Sequence, residues 1–151
     1  MPTKGDARSD DDIPQNIHAS CVAYEGRAVL IVGSSGRGKS SLALQLLALG
    51  AKLVADDRTV LCVENHEVYA SAPDATKGLI EARGVGILKA EYTGPTPVAL
   101  VVDLEQDETD RLPKPCTTEL MGHAIPIWKN VPAPHFPAAI LQYLKVGFLE
   151  T

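Results

Sequence analysis

The residues best suited to chemistry lie together in Gly33-Ser34-Ser35-Gly36-Arg37-Gly38-Lys39-Ser40, followed by Ser41. The run matches G-x-x-x-x-G-K-[ST] in full, and each position answers a physical requirement. Glycines let successive backbone N–H groups curl round an anion, and a helix starting there presents its positive end to the same place. Lys39 reaches the outer phosphates of a nucleotide, and the Ser40 hydroxyl is placed to ligate magnesium. Before the run, Arg27–Val32 (RAVLIV) is a continuous apolar strand. After it, Lys39–Leu49 (KSSLALQLLAL) reads as a helix stopped by Gly50. Strand, glycine loop and helix in that order are what this motif demands, which favours a phosphate-binding loop over a solvated turn.

Such a loop needs a carboxylate for the metal, and two sites compete. Asp103 follows the apolar run Val98–Val102, the usual arrangement of an acid at a strand end. Asp56-Asp57 follows Lys52-Leu53-Val54-Ala55. Adjacent side chains on a strand point to opposite faces, so the two acids converge only at a strand end or bend. Their strand comes directly after the loop's helix, and elements joined by so short a connection usually lie close in a sheet. Position therefore favours the aspartate pair.

The other elements must hold these groups in place. Ile17–Tyr24 reads as a strand turned by Glu25-Gly26, and Thr59–Val63 with Glu67–Ser71 as a hairpin. Leu79–Leu88 reads as a strand-edge loop, Pro97–Leu104 as a buried strand, and Pro113–Pro137 as a fixed, proline-rich loop. Ala138–Leu149 reads as a terminal helix. The pattern predicts an α/β fold, a mixed sheet with the P-loop helix and additional antiparallel strands. Met1–Asp12 is polar and acid-rich, the composition of a disordered tail, and residues 13–151 read as one domain.

The balance of 45% hydrophobic and 22% charged residues is that of a soluble globular chain. A net charge of −5 with no basic run excludes a nucleic-acid footprint. There is no secretory h-region, and no apolar stretch approaches the ~18 residues a membrane helix requires. These features point to the cytoplasm. Cys21, Cys62 and Cys116 lack metal or disulfide spacing and read as small buried or half-buried hydrophobes.

At this point the chain resembles the HPr kinase/phosphorylases. The run GSSGRGKSSLALQLLALGAKLVADD is similar to that family's P-loop, apolar helix and strand ending in two aspartates. Ile80-Glu81-Ala82-Arg83-Gly84-Val85-Gly86-Ile87 looks like its L-E-x-R-G-x-G-I signature, and Asp110-Arg111-Leu112 like its D-R-L segment. His18 stands fifteen residues before Gly33, where the family carries a histidine.

The resemblance implies a P-loop kinase domain that uses ATP and magnesium to phosphorylate a serine of an HPr-type phosphocarrier protein, with phosphorolysis as a second activity. It implies that Asp56 takes the proton of the attacking hydroxyl, and that Asp57, Ser40 and Glu81 hold magnesium, although the residues themselves do not divide the roles of the two aspartates. Lys39, Arg83 and Arg111 would balance phosphate charge and His18 would assist beside the transferred group. It also implies a homo-oligomer, a hexamer. The chain departs from the family in lacking room for the usual N-terminal domain, in Ser41 where an acid is common, and in Val131–Pro137 where a P-G-R-N-like segment is usual. Two alternatives stand beside this reading: a small-molecule P-loop kinase, and a non-catalytic ATP-binding regulator.

Overall fold

Alternation of apolar side chains along three central strands sets the architecture. In β2 (Ala19–Tyr24), β3 (Arg27–Val32) and β9 (Thr96–Asp107), Val22, Val29, Ile31 and Val102 belong to one buried cluster. Cys21, Leu30 and Val101 belong to another on the opposite face. A sheet buried on both faces needs cover on both. Helices α1 (Lys39–Ala48) and α2 (Phe136–Val146) supply it on the first, through Leu42, Leu46, Ile140 and Leu144. Two antiparallel ribbons supply it on the second. β5 (Thr59–Glu64) with β6 (Glu67–Ser71) brings Leu61 and Val68, and β10 (Cys116–Leu120) with β11 (His123–Asn130) brings Met121 and Ile125. The computed structural model describes residues 13–148; Met1–Asp12, read above as a disordered tail, lies outside them.

Strand order decides where the chemistry can sit. With β1 (Gln15–Ile17) at one end and β4 (Lys52–Ala55) at the other, the order is β1-β5-β6-β9-β3-β2-β4, and β11 also joins β9. β9 runs parallel to β3, while β2 is antiparallel to both β3 and β4. The ends of β3, β4 and the central part of β9 therefore meet the start of β2 along one edge of the sheet. Register makes this concrete: Ala19 pairs with Val32, Cys21 with Ala55, and Val32 with Asp103. A separate hairpin, β7 (Leu79–Ala82) and β8 (Gly86–Lys89), packs through Ile80 onto the helix-side core.

The α/β class, the mixed sheet and the hairpin at Thr59–Ser71 agree with the sequence reading, and the differences are instructive. The first strand divides at His18: β1 pairs with β5 whereas β2 pairs with β3. Leu79–Leu88 is a true hairpin rather than a loop. Pro113–Pro137 contains β10 and β11, joined at Met121-Gly122 with φ of +48° and +81°. Two positive φ values match the twist of a two-residue hairpin turn, but Met-Gly lacks the usual Asn or Asp signal. Pro126 sits opposite Thr117, one residue before β11 meets β9 at Ile127, so its missing N–H interrupts no bond to β9. The terminal helix begins at Phe136, with Pro137 tolerated in its first turn. Cys21 is buried, and burial pushes its thiol pKa well up; Cys62 is half-buried. Cys116 is exposed, against expectation. No helix among the described residues is long and apolar enough to cross a membrane.

Candidate active site

The loop from Gly33 to Gly38 is shaped by backbone freedom at its two ends. Gly33 has φ +149°, and a Cβ there would sit 3.4 Å from the Cβ atoms of both Arg37 and Leu104. Gly38 caps α1 at φ +96°, and its carbonyl accepts the Leu42 N–H at 2.9 Å. Ser34, Ser35, Gly36 and Arg37 form the exposed rim. Lys39 is only 7% exposed, and its ammonium folds back over the loop. It donates to the Gly33 carbonyl at 2.8 Å and to the Ser34 carbonyl at 3.3 Å. Ser41 lies exposed in the first helical turn.

Asp56 meets this loop from β4. Its Oδ1 accepts the Ser40 hydroxyl at 2.7 Å and the Ser20 hydroxyl at 2.8 Å, while Oδ2 accepts the Glu81 N–H at 3.1 Å. The carboxylate is 7% exposed. Burying a charge is tolerable here because three donors satisfy it. Asp57 points elsewhere. The Arg58 N–H donates to the Asp56 carbonyl at 2.7 Å, closing a tight turn in which Asp57 takes φ +69°. That left-handed residue swings its side chain outward, 69% exposed, to within 2.9 Å of His18 Nε2. The bend needed to bring both aspartates to one edge is thus present, and it separates them. The resemblance gave the proton to Asp56 and the metal to Asp57. In the fold it is Asp56 that bonds Ser40, and Asp57 that bonds His18.

The remaining candidates divide. Glu81 is tied in through its backbone, with its side chain exposed. Arg83 and Arg111 are exposed and take part in no ion pair among the described residues. Asp103, the competing carboxylate, accepts the Glu105 N–H at 2.9 Å and bonds neither Ser40 nor Lys39 among the described residues. Sequence reasoning missed two participants. Ser20, a lone polar residue in the apolar strand ASCVAY, is fully buried and bonds Asp56. Glu105, two residues past Asp103, accepts the Ser34 N–H and lies 3.6 Å from the Arg37 guanidinium.

Glu105 therefore occupies a donor that a phosphate would use. Hydrogen bonds from Ser34, with smaller contributions from Arg37 and Lys39, hold its carboxyl below the usual carboxylate range. Because that folded-state pKa is depressed, the contact is fully present above the ordinary carboxylate range and is lost as pH falls through the lowered value. Replacing Glu105 with Gln removes an exposed competing charge. We expect polyphosphate binding at neutral pH to tighten about threefold, measured by titration calorimetry.

A serine hydroxyl and a buried carboxylate are hard oxygen donors, few in number. That set suits magnesium, which keeps several waters and takes its other ligands from substrate phosphates.

A strand-end carboxylate bonded to the first-turn serine of the loop's helix marks the P-loop class of phosphate-binding α/β folds, of the kinase type. Within that class the chain belongs to the family described as HPr Serine kinase C-terminal domain, whose profile matches residues 13–127. Its fold is similar to that of the HPr(Ser) kinase/phosphatase from Coxiella burnetii. The TM-score is 0.73 at 25% identity, over 87% of this chain and 88% of that one. The HPr kinase/phosphorylase of Mycoplasmopsis pulmonis is 40% identical over 72 residues, which are 48% of this chain and 23% of that protein. The HPr kinase/phosphorylase of Lachnoclostridium phytofermentans is 35% identical over 104 residues, 64% of this chain and 34% of that protein. The chain thus spans about a quarter to a third of the length of these curated relatives.

Proposed function

We propose that this chain is an ATP- and magnesium-dependent protein kinase that phosphorylates a serine of an HPr-type phosphocarrier protein in the cytoplasm. The observation that carries the reading is the pair of bonds Ser40–Asp56 and His18–Asp57, which sets two carboxylates with different surroundings beside one phosphate loop. Family membership and the names of the relatives support the same substrate class.

The two aspartates take opposite roles to those the resemblance suggested. Asp56, buried and bonded to Ser40, holds magnesium with that serine; the chemistry magnesium supplies when bound is neutralisation of phosphate charge. Asp57, exposed and beside His18, accepts the proton of the carrier's serine hydroxyl as its oxygen bonds to the γ-phosphorus. The bond from that phosphorus to the β–γ bridging oxygen breaks, and ADP leaves. Lys39 turns from the Gly33 and Ser34 carbonyls to the outer phosphates, and loop N–H groups hold charge that develops there. Phosphorolysis needs the same groups in reverse. Inorganic phosphate attacks phosphoserine, pyrophosphate forms, and Asp57 returns the proton to the serine oxygen. A homo-oligomer belongs to the same reading.

The test is incubation with γ-labelled ATP, magnesium and an HPr-type carrier. We expect label on the carrier that survives acid and is lost in base, as phosphoserine is. Label found only on a metabolite, with the carrier untouched, would overturn the proposal.

A further inference from the structure

We propose that the Ser20 hydroxyl is a positioning group for phosphate transfer, setting the two aspartates of the site relative to each other. The inference rests on the reading of Asp56 as a magnesium ligand and Asp57 as the base. Ser20 Oγ donates to Asp56 Oδ1 at 2.8 Å and accepts the Asp57 N–H at 3.4 Å. A hydroxyl carries one hydrogen, so with that hydrogen given to Asp56 it is a lone pair that the Asp57 N–H meets. One oxygen thus contacts the side chain of the first aspartate and the backbone of the second.

Register puts the hydroxyl there. β2 pairs with β4 as far as Cys21 opposite Ala55, and past that pair the chain leaves the ladder through the turn at Asp57. Three consecutive residues then hold the turn. His18 Nε2 lies 2.9 Å from the Asp57 carboxylate, the Ala19 N–H donates to the Asp57 carbonyl at 3.1 Å, and Ser20 makes the two bonds above. Thr59, just past the turn, donates its hydroxyl to the Ala19 carbonyl at 2.8 Å. The Ala19 and Thr59 bonds fix the path of the backbone. Ser20 adds the Asp56 side chain to what is fixed.

Burial decides how Ser20 can act. It is fully buried, in a strand otherwise made of Ala, Cys, Val and Tyr. Neither carrier nor nucleotide can reach it, so any effect on transfer passes through the aspartates. A buried hydroxyl costs free energy unless it is bonded, and both of its bonds go to the site. Ser40, the other hydroxyl on Asp56 Oδ1, belongs to the proposed magnesium set itself. Ser20 holds that oxygen from outside the set, as outer groups do when they orient a metal's ligands. Asp57 takes φ +69°, and Ser20 supplies an acceptor for its N–H. The base is therefore carried on backbone tied to the metal's carboxylate.

Transfer kinetics on an HPr-type carrier and titration calorimetry with ATP, with and without magnesium, test this role. We expect Ser20→Ala to lower kcat about 10–100-fold while KM for the carrier stays within about twofold. ATP should bind about tenfold more weakly with magnesium present and within about twofold without it. Ser20→Cys, close in size and suited to a buried position, guards against misfolding of the first and should show the same split, because a thiol is a weak donor. Thr59→Val removes another fully buried hydroxyl at the same junction but touches neither carboxylate. It should cost thermal stability yet leave kcat and magnesium-dependent ATP binding within about twofold. Unchanged kcat and magnesium dependence in both Ser20 variants would overturn the role while the kinase reading stands. Equal loss of kcat in Thr59→Val would overturn it too, since loosening of the junction would then suffice. If the unaltered chain transfers nothing to the carrier, the kinase reading fails by itself. The magnesium-dependent loss of ATP binding in Ser20→Ala then still establishes the hold on Asp56, and its absence removes that as well.

Discussion

Asp57→Asn is expected to lower phosphate transfer to a carrier serine by roughly 10²–10⁴-fold, the range removed with a general base, while ATP binding stays within about twofold. The substitution is chosen for what it preserves. Asp57 holds φ +69°, a conformation most residues resist, and asparagine adopts it nearly as readily as aspartate. The turn closed by the Arg58 N–H and the Asp56 carbonyl therefore persists. The amide keeps an oxygen 2.9 Å from His18 but cannot take a proton. Because the side chain is 69% exposed and bonds neither Lys39 nor Ser40, its charge has little part in holding the nucleotide. Transfer rates on a carrier, with nucleotide affinity measured separately, decide the matter. Full transfer by this variant would move the base elsewhere, and loss of ATP binding with it would return Asp57 to the metal.

The phosphate half of the site was legible because its chemistry dictates residue types within a short window. Gly33, Gly38, Lys39 and Ser40 could be assigned from eight consecutive letters. So could the preference for Asp56-Asp57 over Asp103, because a short connection after a helix constrains where the next strand lies. The separate surroundings of the two aspartates were hidden. Their division depends on a turn at Asp57 fixed by a backbone bond, and no residue type announces that bond. Ser20 was equally hidden: its partner lies 36 residues away, and a serine in an apolar strand carries no local mark of it. Glu105 reaches Ser34 across 71 residues only because β9 pairs with β3. The fold divides in the same way. Helix α1 and the hairpin at Thr59–Ser71 are local patterns, whereas the curl that brings β6 and β11 to β9 is made of long-range pairings. The hairpin from Cys116 to Asn130 was lost to prolines that the register accommodates.

The two carboxylates differ in how far they are built into the fold. Asp57 stands outside the packing, its side chain exposed. Asp56 is the point at which β2, α1 and β7 are tied to β4, through Ser20, Ser40 and the Glu81 N–H. Every buried side-chain polar atom among the described residues has a partner, so this network has no slack.

Asp56→Ala should therefore destabilise the chain as well as inactivate it. The methyl leaves three donors without their acceptor. The Ser20 hydroxyl, on a fully buried residue, has no water to turn to, whereas the Ser40 hydroxyl and the Glu81 N–H are only partly buried. An orphaned buried donor costs about 1–3 kcal/mol. Relief of a buried charge offsets part of this, since desolvation opposes any ionised carboxylate. One buried and two partly buried donors outweigh that relief, and a net loss of about 2–4 kcal/mol follows. For a chain of this size each kcal/mol lowers Tm by roughly 2–4 °C, so thermal unfolding followed by circular dichroism should shift down by about 5–15 °C. Asp56→Asn keeps an acceptor for two of the donors and should shift by less than half as much, yet lose magnesium-dependent ATP binding equally. A drop in Tm for Asp57→Asn as large as that for Asp56→Ala would contradict this separation, because only Asp56 lies inside the packed network.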